Sequence, residues 1–149
     1  PDAGGHYEVV HHSEFLAELV SDGRLQVDDS SGERITYHDP CYLARVNGIV
    51  DAPRDVLTAV GAELDELPRH GCRTACCGGG GGRMWLDDGP DDRVGRDRLE
   101  EITTAGAETV VVSCPFCRTM FGDGLAAADS PTNVVDLAEL LINSLEETG

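Results

Sequence analysis

The run Thr109-Val110-Val111-Val112-Ser113 restricts the fold more than any other stretch of this chain. It is apolar without alternation, so both faces of the strand it forms must be covered, as in a parallel sheet enclosed by helices. Its flanks agree. Asp91–Ala105 reads as an exposed, charged helix that Gly106 ends, and Pro115–Ala128 reads as a helix with proline at its first position.

The same alternation extends through the rest of the chain. Tyr7–Val10 reads as a short apolar strand. Ser13 is expected to cap a helix to about Asp22, with Phe15, Leu16, Leu19 and Val20 on one face. Asp28–Glu33 is a polar loop, and Arg34–Tyr37 is a β-prone run ending at His38-Asp39-Pro40. Pro53 is expected as the first residue of a helix that runs to about Val60 and stops at Gly61. Ala62–Leu67 alternates as a strand and leads to a glycine-rich loop, Gly71–Gly82. Asn133–Val135 is the last strand, and Asp136 with Glu139 makes a capping box for a final helix, Leu137–Leu145. Five β-α repeats predict an α/β fold: one parallel, Rossmann-like sheet with helices on both faces. The 149 residues are read as a single domain, 1–149. A chain of this length buries about 70% of its unfolded surface and needs no disulfide staples.

Ligands in such folds sit beyond the carboxyl ends of the strands. The cysteines respect that rule. Cys41 follows the Arg34–Tyr37 strand, Cys76 and Cys77 follow Ala62–Leu67, and Cys114 and Cys117 follow Thr109–Ser113. Three loops at one sheet edge thus bring five thiols together, while Cys72 lies outside the pattern and is read as a free thiol. Clustered cysteines, two of them adjacent, point to metal or redox chemistry rather than to structural disulfides.

Each cysteine segment has a local physical reason. In Cys114-Pro115-Phe116-Cys117, proline at the first helical position makes Cys114 the cap and Cys117 the third helical residue. Both thiols then face the helix amino end, where the dipole and free N–H groups favour thiolates. In Cys76-Cys77-Gly78, the glycines Gly78–Gly82 permit the sharp, positive-φ turn that lets adjacent cysteines serve one site. A phosphate cradle is the competing reading of those glycines, but no Lys-Ser/Thr follows them. In Asp39-Pro40-Cys41, Pro40 stiffens the approach to the thiol and Asp39 is expected to accept a hydrogen bond that shapes the loop. His38 is read first as a structural or surface histidine and second as a ligand. His6, His11, His12 and His70 are read as surface or packing residues. Thiol–disulfide pairs, zinc sites and iron–sulfur sites all use a CxxC. Zinc prefers four ligands, fewer than the cysteines here. A dithiol enzyme built on Cys114 and Cys117 leaves three cysteines unexplained.

Charge narrows the partners. The chain has 28 acidic residues against 11 basic ones, for a net charge of −17, and every basic residue is arginine. Such a surface repels nucleic acid and anionic membranes, and no apolar run reaches the roughly 18 residues of a membrane helix. Acidity without lysine is the composition expected of a salt-rich cytoplasm, where carboxylate repulsion is screened. The chain starts at Pro1 with no charged-plus-apolar leader. It is expected to be cytoplasmic and to be the C-terminal part of a longer protein.

The segments Tyr37-His38-Asp39-Pro40-Cys41, Cys76-Cys77-Gly78-Gly79-Gly80 and Ser113-Cys114-Pro115-Phe116-Cys117, at these separations, resemble the cysteine-rich CCG domain family. That family includes components of heterodisulfide reductases and the iron–sulfur components of glycolate, lactate and glycerol-3-phosphate dehydrogenases. The resemblance is tightest from Tyr37 to Phe121. Tyr42 stands where relatives often have His, and Ala44 where they often have Gly. Relatives usually carry two such motifs and this chain carries one. The resemblance implies an iron–sulfur oxidoreductase component in which Cys41, Cys76, Cys77, Cys114 and Cys117 hold a [4Fe–4S] cluster of non-cubane type. It implies electron relay between a flavoprotein or ferredoxin-type partner and a quinone or disulfide acceptor. It also implies attachment to the cytoplasmic face of a membrane through other parts of the full-length protein. An anionic cluster in so acidic a chain calls for local positive charge, for which Arg45, Arg73, Arg83 and Arg118 are the neighbours in sequence.

Overall fold

The computed structural model describes residues 4–86, 89 and 93–145. Four strands form one sheet: β1 Arg34–His38, β2 Glu63–Leu64, β3 Thr109–Val112 and β4 Asn133–Asp136. Their order is β2-β1-β3-β4, and every pairing is parallel. Five helices accompany them among the described residues: α1 His12–Ser21, α2 Asp51–Ala59, α3 Arg96–Ala105, α4 Pro115–Ala127 and α5 Leu137–Asn143.

The unbroken apolar run in β3 has the expected cause. Val111 packs on one side with Ile35, Tyr37, Val56, Leu57 and Leu137, a core supplied by β1, α2 and α5. Val110 and Val112 pack on the other with Ile102, Phe121 and Leu125, supplied by α3 and α4. Helices therefore cover both faces of a parallel α/β sheet, and all three valines are fully buried. The register pairs His38 with Val112, which brings the carboxyl ends of β1 and β3 to the same edge. The Tyr37 hydroxyl donates to Ser113 Oγ at 3.1 Å and ties the two ends together.

Several local signals act as read. Gly61 and Gly106 take left-handed backbone, φ 69° and 66°, directly after α2 and α3. Asp136 and Glu139 form the capping box of α5.

Other expectations are corrected. Tyr7–Val10 is not a strand; Tyr7 and Val9 are exposed and no neighbouring strand among the described residues offers a ladder. His11, not Ser13, caps α1: its ring accepts from the Ser13 N–H while Ser13 is buried in the first turn. The buried stripe of α1 is Leu16, Ala17 and Val20, and Phe15 is exposed. Pro53 is the third residue of α2, which begins at Asp51; first-turn N–H groups lack intrahelical acceptors, so proline is tolerated there too. The strand expected over Ala62–Leu67 is only Glu63–Leu64, because it is an edge strand whose ladder ends at the Asp65 N–H to Ile35 carbonyl bond. Helix α5 ends at Asn143, since Leu145 instead bridges to Val27. The expected start of α3 at Asp91 lies outside the described residues, but residues 93–95 are not helical and α3 begins at Arg96 with Gly95 as its cap.

Candidate metal centre

From His38, the last residue of β1, the chain runs through Asp39 and Pro40 to Cys41, which opens a π-helical turn, Tyr42–Val46. Asp39 is almost completely buried. Its Oδ2 accepts from the Gly71 N–H at 2.7 Å, and Arg54 of α2 grips both carboxylate oxygens at 2.8 and 3.1 Å. The same guanidinium bonds Glu66. The Cys41 approach and the start of the Cys76-Cys77 loop are thus held to one carboxylate, the role expected of Asp39.

Beyond β3, Cys114 is the N-cap of α4, Pro115 its first residue and Cys117 its third, as the sequence implied. The Cys114 thiol is lowered to about 6, first by its hydrogen bond with Cys117 and further by the Cys117 and Phe116 N–H groups, against the opposing effect of burial.

The glycine-rich loop closes the site. Gly78, at φ 86°, turns the chain immediately after the adjacent cysteines. A Cβ there would also stand 2.9 Å from Gly95 N. The turn aims two N–H groups back at sulfur: Gly78 N to Cys76 Sγ at 3.3 Å and Gly79 N to Cys77 Sγ at 3.5 Å.

These three segments converge. The sulfurs of Cys77 and Cys117 and a ring nitrogen of His38 lie within 4.8 Å of one another, all buried. The neighbouring Cys114 and Cys77 thiols, together with burial, disfavour ionisation of Cys117. Its thiol is therefore raised above the ordinary range, while the Cys77 thiol is held well below it, chiefly by the Cys117 bond and then by His38 and the Gly79 N–H. A buried set of sulfur and nitrogen donors, with backbone N–H groups aimed at its thiols, suits a thiophilic metal centre.

Cys41 and Cys76 are half-buried on the adjoining loops. Among the described residues neither joins a set of three ligand atoms as tight as that around Cys77. Cys72 is exposed, its thiol directed at the Ala44 carbonyl at 3.4 Å.

The cations differ from expectation. Arg45 and Arg73 are exposed, and Arg118 pairs at the surface with Glu139 at 3.1 Å. Arg83 lines a cavity of about 310 Å³ together with Cys77, Arg93, Arg96, Met120 and Phe121. The sequence reading missed Arg98. This side chain is wholly buried in α3 and donates from Nε to His38 Nδ1 at 3.0 Å. Its Nη1 reaches the Arg69 carbonyl and Glu101, both at 2.7 Å, and its Nη2 reaches Thr74 Oγ1 at 3.3 Å. The available signal was spacing, since Arg98 stands four residues before buried Ile102 on the inner stripe of α3. The structure also places His38. Of the two expected roles it has the structural one and not the surface one: it is buried against the thiols, with its ring edge-on to Phe121 at 4.7 Å. Burial lowers its pKa, with the Arg98 charge acting in the same sense and the Cys77 bond opposing.

Known proteins resemble this chain over nearly its whole length. It is 42% identical over 155 residues to the EtfAB:quinone oxidoreductase of Syntrophomonas wolfei, covering 98% of this chain and 22% of that protein. It is 40% identical over 148 residues to a Bacillus subtilis protein named a probable iron–sulfur-binding oxidoreductase, FadF, covering 97% and 21%. It is 34% identical over 143 residues to a component of the dihydromethanophenazine:CoB–CoM heterodisulfide reductase of Methanosarcina barkeri, covering 93% and 34%. The chain thus spans between a fifth and about a third of the length of these curated relatives. Residues 35–122, which hold all five cysteines of the pattern, match the family described as the CCG cysteine-rich domain, and this chain belongs to that family.

Proposed function

We propose that this chain is the iron–sulfur-binding, electron-transferring domain of a longer, heterodisulfide-reductase-like oxidoreductase. The observation that carries the reading is the convergence of the Cys77 and Cys117 sulfurs within 4.8 Å at the carboxyl edge of the sheet, with Cys114 at the cap of the same helix and Cys41 and Cys76 on the loops beside them. These five cysteines would hold a [4Fe–4S] cluster, of the non-cubane type that the family resemblance implies. When bound, such a cluster supplies reversible electron storage at a potential set by hydrogen bonds and solvent access. The chain's own residues provide both. Gly78 and Gly79 present N–H groups to sulfur, the amino end of α4 favours thiolates, and the burial of Cys77 and Cys117 keeps water away.

A flavoprotein or ferredoxin-type protein or domain is the proposed electron donor. The relatives' names, one a quinone oxidoreductase and one a heterodisulfide reductase, support a quinone or a disulfide as acceptor. The proposed location is the cytoplasm, at the membrane face through other parts of the protein. Among the described residues no helix is long and apolar enough to cross a membrane.

One observation favours a second reading. His38, Cys77 and Cys117 with Cys114 would offer zinc four ligands. A ligating histidine donates its other ring N–H outward, whereas His38 Nδ1 accepts from Arg98. That polarity favours the five-cysteine set.

The deciding experiment is metal, sulfide and visible-spectrum analysis of protein purified without oxygen. Iron, sulfide and a broad brown absorption are expected. Cys77→Ser should lose most of the iron and sulfide and Cys72→Ser none. Equal iron in the two variants overturns the ligand set. Stoichiometric zinc in a colourless protein establishes the second reading, and a colourless, metal-free protein overturns both.

A further inference from the structure

We infer that His38 donates a hydrogen bond from Nε2 to a sulfur of the bound cluster, its donor nitrogen selected by Arg98. The inference rests on the iron–sulfur reading above and assigns a role to a residue outside the cysteine set.

The argument is one of proton placement. A guanidinium has donors only and stays protonated. Arg98 Nε points at His38 Nδ1 at 3.0 Å, so Nδ1 must present its lone pair. A ring with a lone pair on Nδ1 is not the doubly protonated imidazolium, so it carries one proton. The single ring proton therefore resides on Nε2. That nitrogen is buried and has no hydrogen-bond partner among the described residues. The sulfurs of Cys77 and Cys117 lie within 4.8 Å of a ring nitrogen of His38, and with Nδ1 engaged by Arg98, Nε2 is the nitrogen left to them. A buried N–H without an acceptor is costly, and thiolate sulfur, free or cluster-bound, is the acceptor on offer.

Arg98 is the positioning residue. Its bonds to the Arg69 carbonyl, Glu101 and Thr74 engage both terminal nitrogens and fix the guanidinium. The T-shaped contact with Phe121 holds the ring plane. The same geometry argues against His38 as an iron ligand, because Nε2 already carries the proton. An N–H···S bond stabilises the more negative, reduced cluster, so His38 raises the reduction potential.

The test uses the full-length, cluster-loaded protein. A parent without iron and sulfide removes the iron–sulfur reading itself, and this inference with it. In a loaded parent, His38→Phe keeps an aromatic ring beside Phe121 but has no donor. His38→Gln can accept from Arg98 and donate toward sulfur. Both should retain iron, the Phe variant at a lower reduction potential and the Gln variant near the parent. Full iron with an unchanged potential in His38→Phe overturns the inference. If His38→Phe fails to fold, the parent decides through hyperfine spectroscopy of the paramagnetic cluster with isotopically labelled histidine. A weakly coupled histidine nitrogen with an exchangeable proton is expected. A strongly coupled nitrogen, bonded to iron, or no histidine coupling at all overturns it.

Discussion

The backbone of Gly95 lies so close to Cys77 that a Cβ at Gly95 would overlap the Cys77 carbonyl oxygen. Gly95 is also the N-cap of α3, so the start of that helix is seated on the peptide of a proposed ligand. The atom in the way is backbone and has no rotamer by which to escape. Gly95→Ala is therefore expected to displace the Cys77 loop and to cost about 1–3 kcal/mol, the usual range for overpacking. Gly80→Ala is the control, since a Cβ there meets nothing within 4 Å. Iron retention under chelator and urea unfolding should show a loss in the first variant and parental behaviour in the second. Matching curves for the two variants would count against the packing argument.

Asp39 links the Cys41 approach to the loop that begins at Gly71. Asp39→Asn preserves size but removes the charge that Arg54 grips. Breaking a buried pair leaves the partner uncompensated; here Arg54 keeps Glu66 and is one-fifth exposed. The expected loss is about 2–3 kcal/mol, at the low side of buried-pair deletions. Equilibrium denaturation of variant and parent measures it, and superimposable unfolding curves would assign the pairing little weight.

The Glu101 carboxylate predicts acid sensitivity with a defined sign. Burial pushes its pKa up, but hydrogen bonds from Arg98 and Arg69 outweigh burial and hold it below 4.5. Its pKa is lower folded than unfolded, so its stabilising contribution is complete above the unfolded value and fades as pH falls through the folded one. Glu101→Gln should be less stable than the parent near neutrality, and the gap should close on acidification below about pH 4. Urea midpoints measured across that range test this; a gap that stays constant or widens in acid would show that Glu101 titrates without the arginines' help.

Much of the local architecture was legible because its causes lie within a turn or a strand. Thr109–Val112 announced its two-sided burial by lacking polar alternation. Cys114-Pro115 set the cap of α4, Gly61 and Gly106 ended helices, and Asp136 with Glu139 began one, each through residues no more than a few positions apart. The placement of cysteines after strands was legible for the same reason, given a parallel sheet.

What only the tertiary structure decided depends on segments distant in sequence. Tyr7–Val10 has strand chemistry, but no strand among the described residues lies beside it to complete a ladder. The seating of Gly95 on Cys77 requires α3 to meet the glycine-rich loop, which neither segment encodes alone. His38 and Arg98 are sixty positions apart and become a hydrogen-bonded pair because His38, at the end of β1, packs on Phe121 of α4, in the core that α4 shares with Ile102 of α3. Sequence by itself determined which atoms are able to bind a thiophilic metal. The fold alone, by choosing which buried donor faces Nδ1 of one histidine, decided where that residue's proton points.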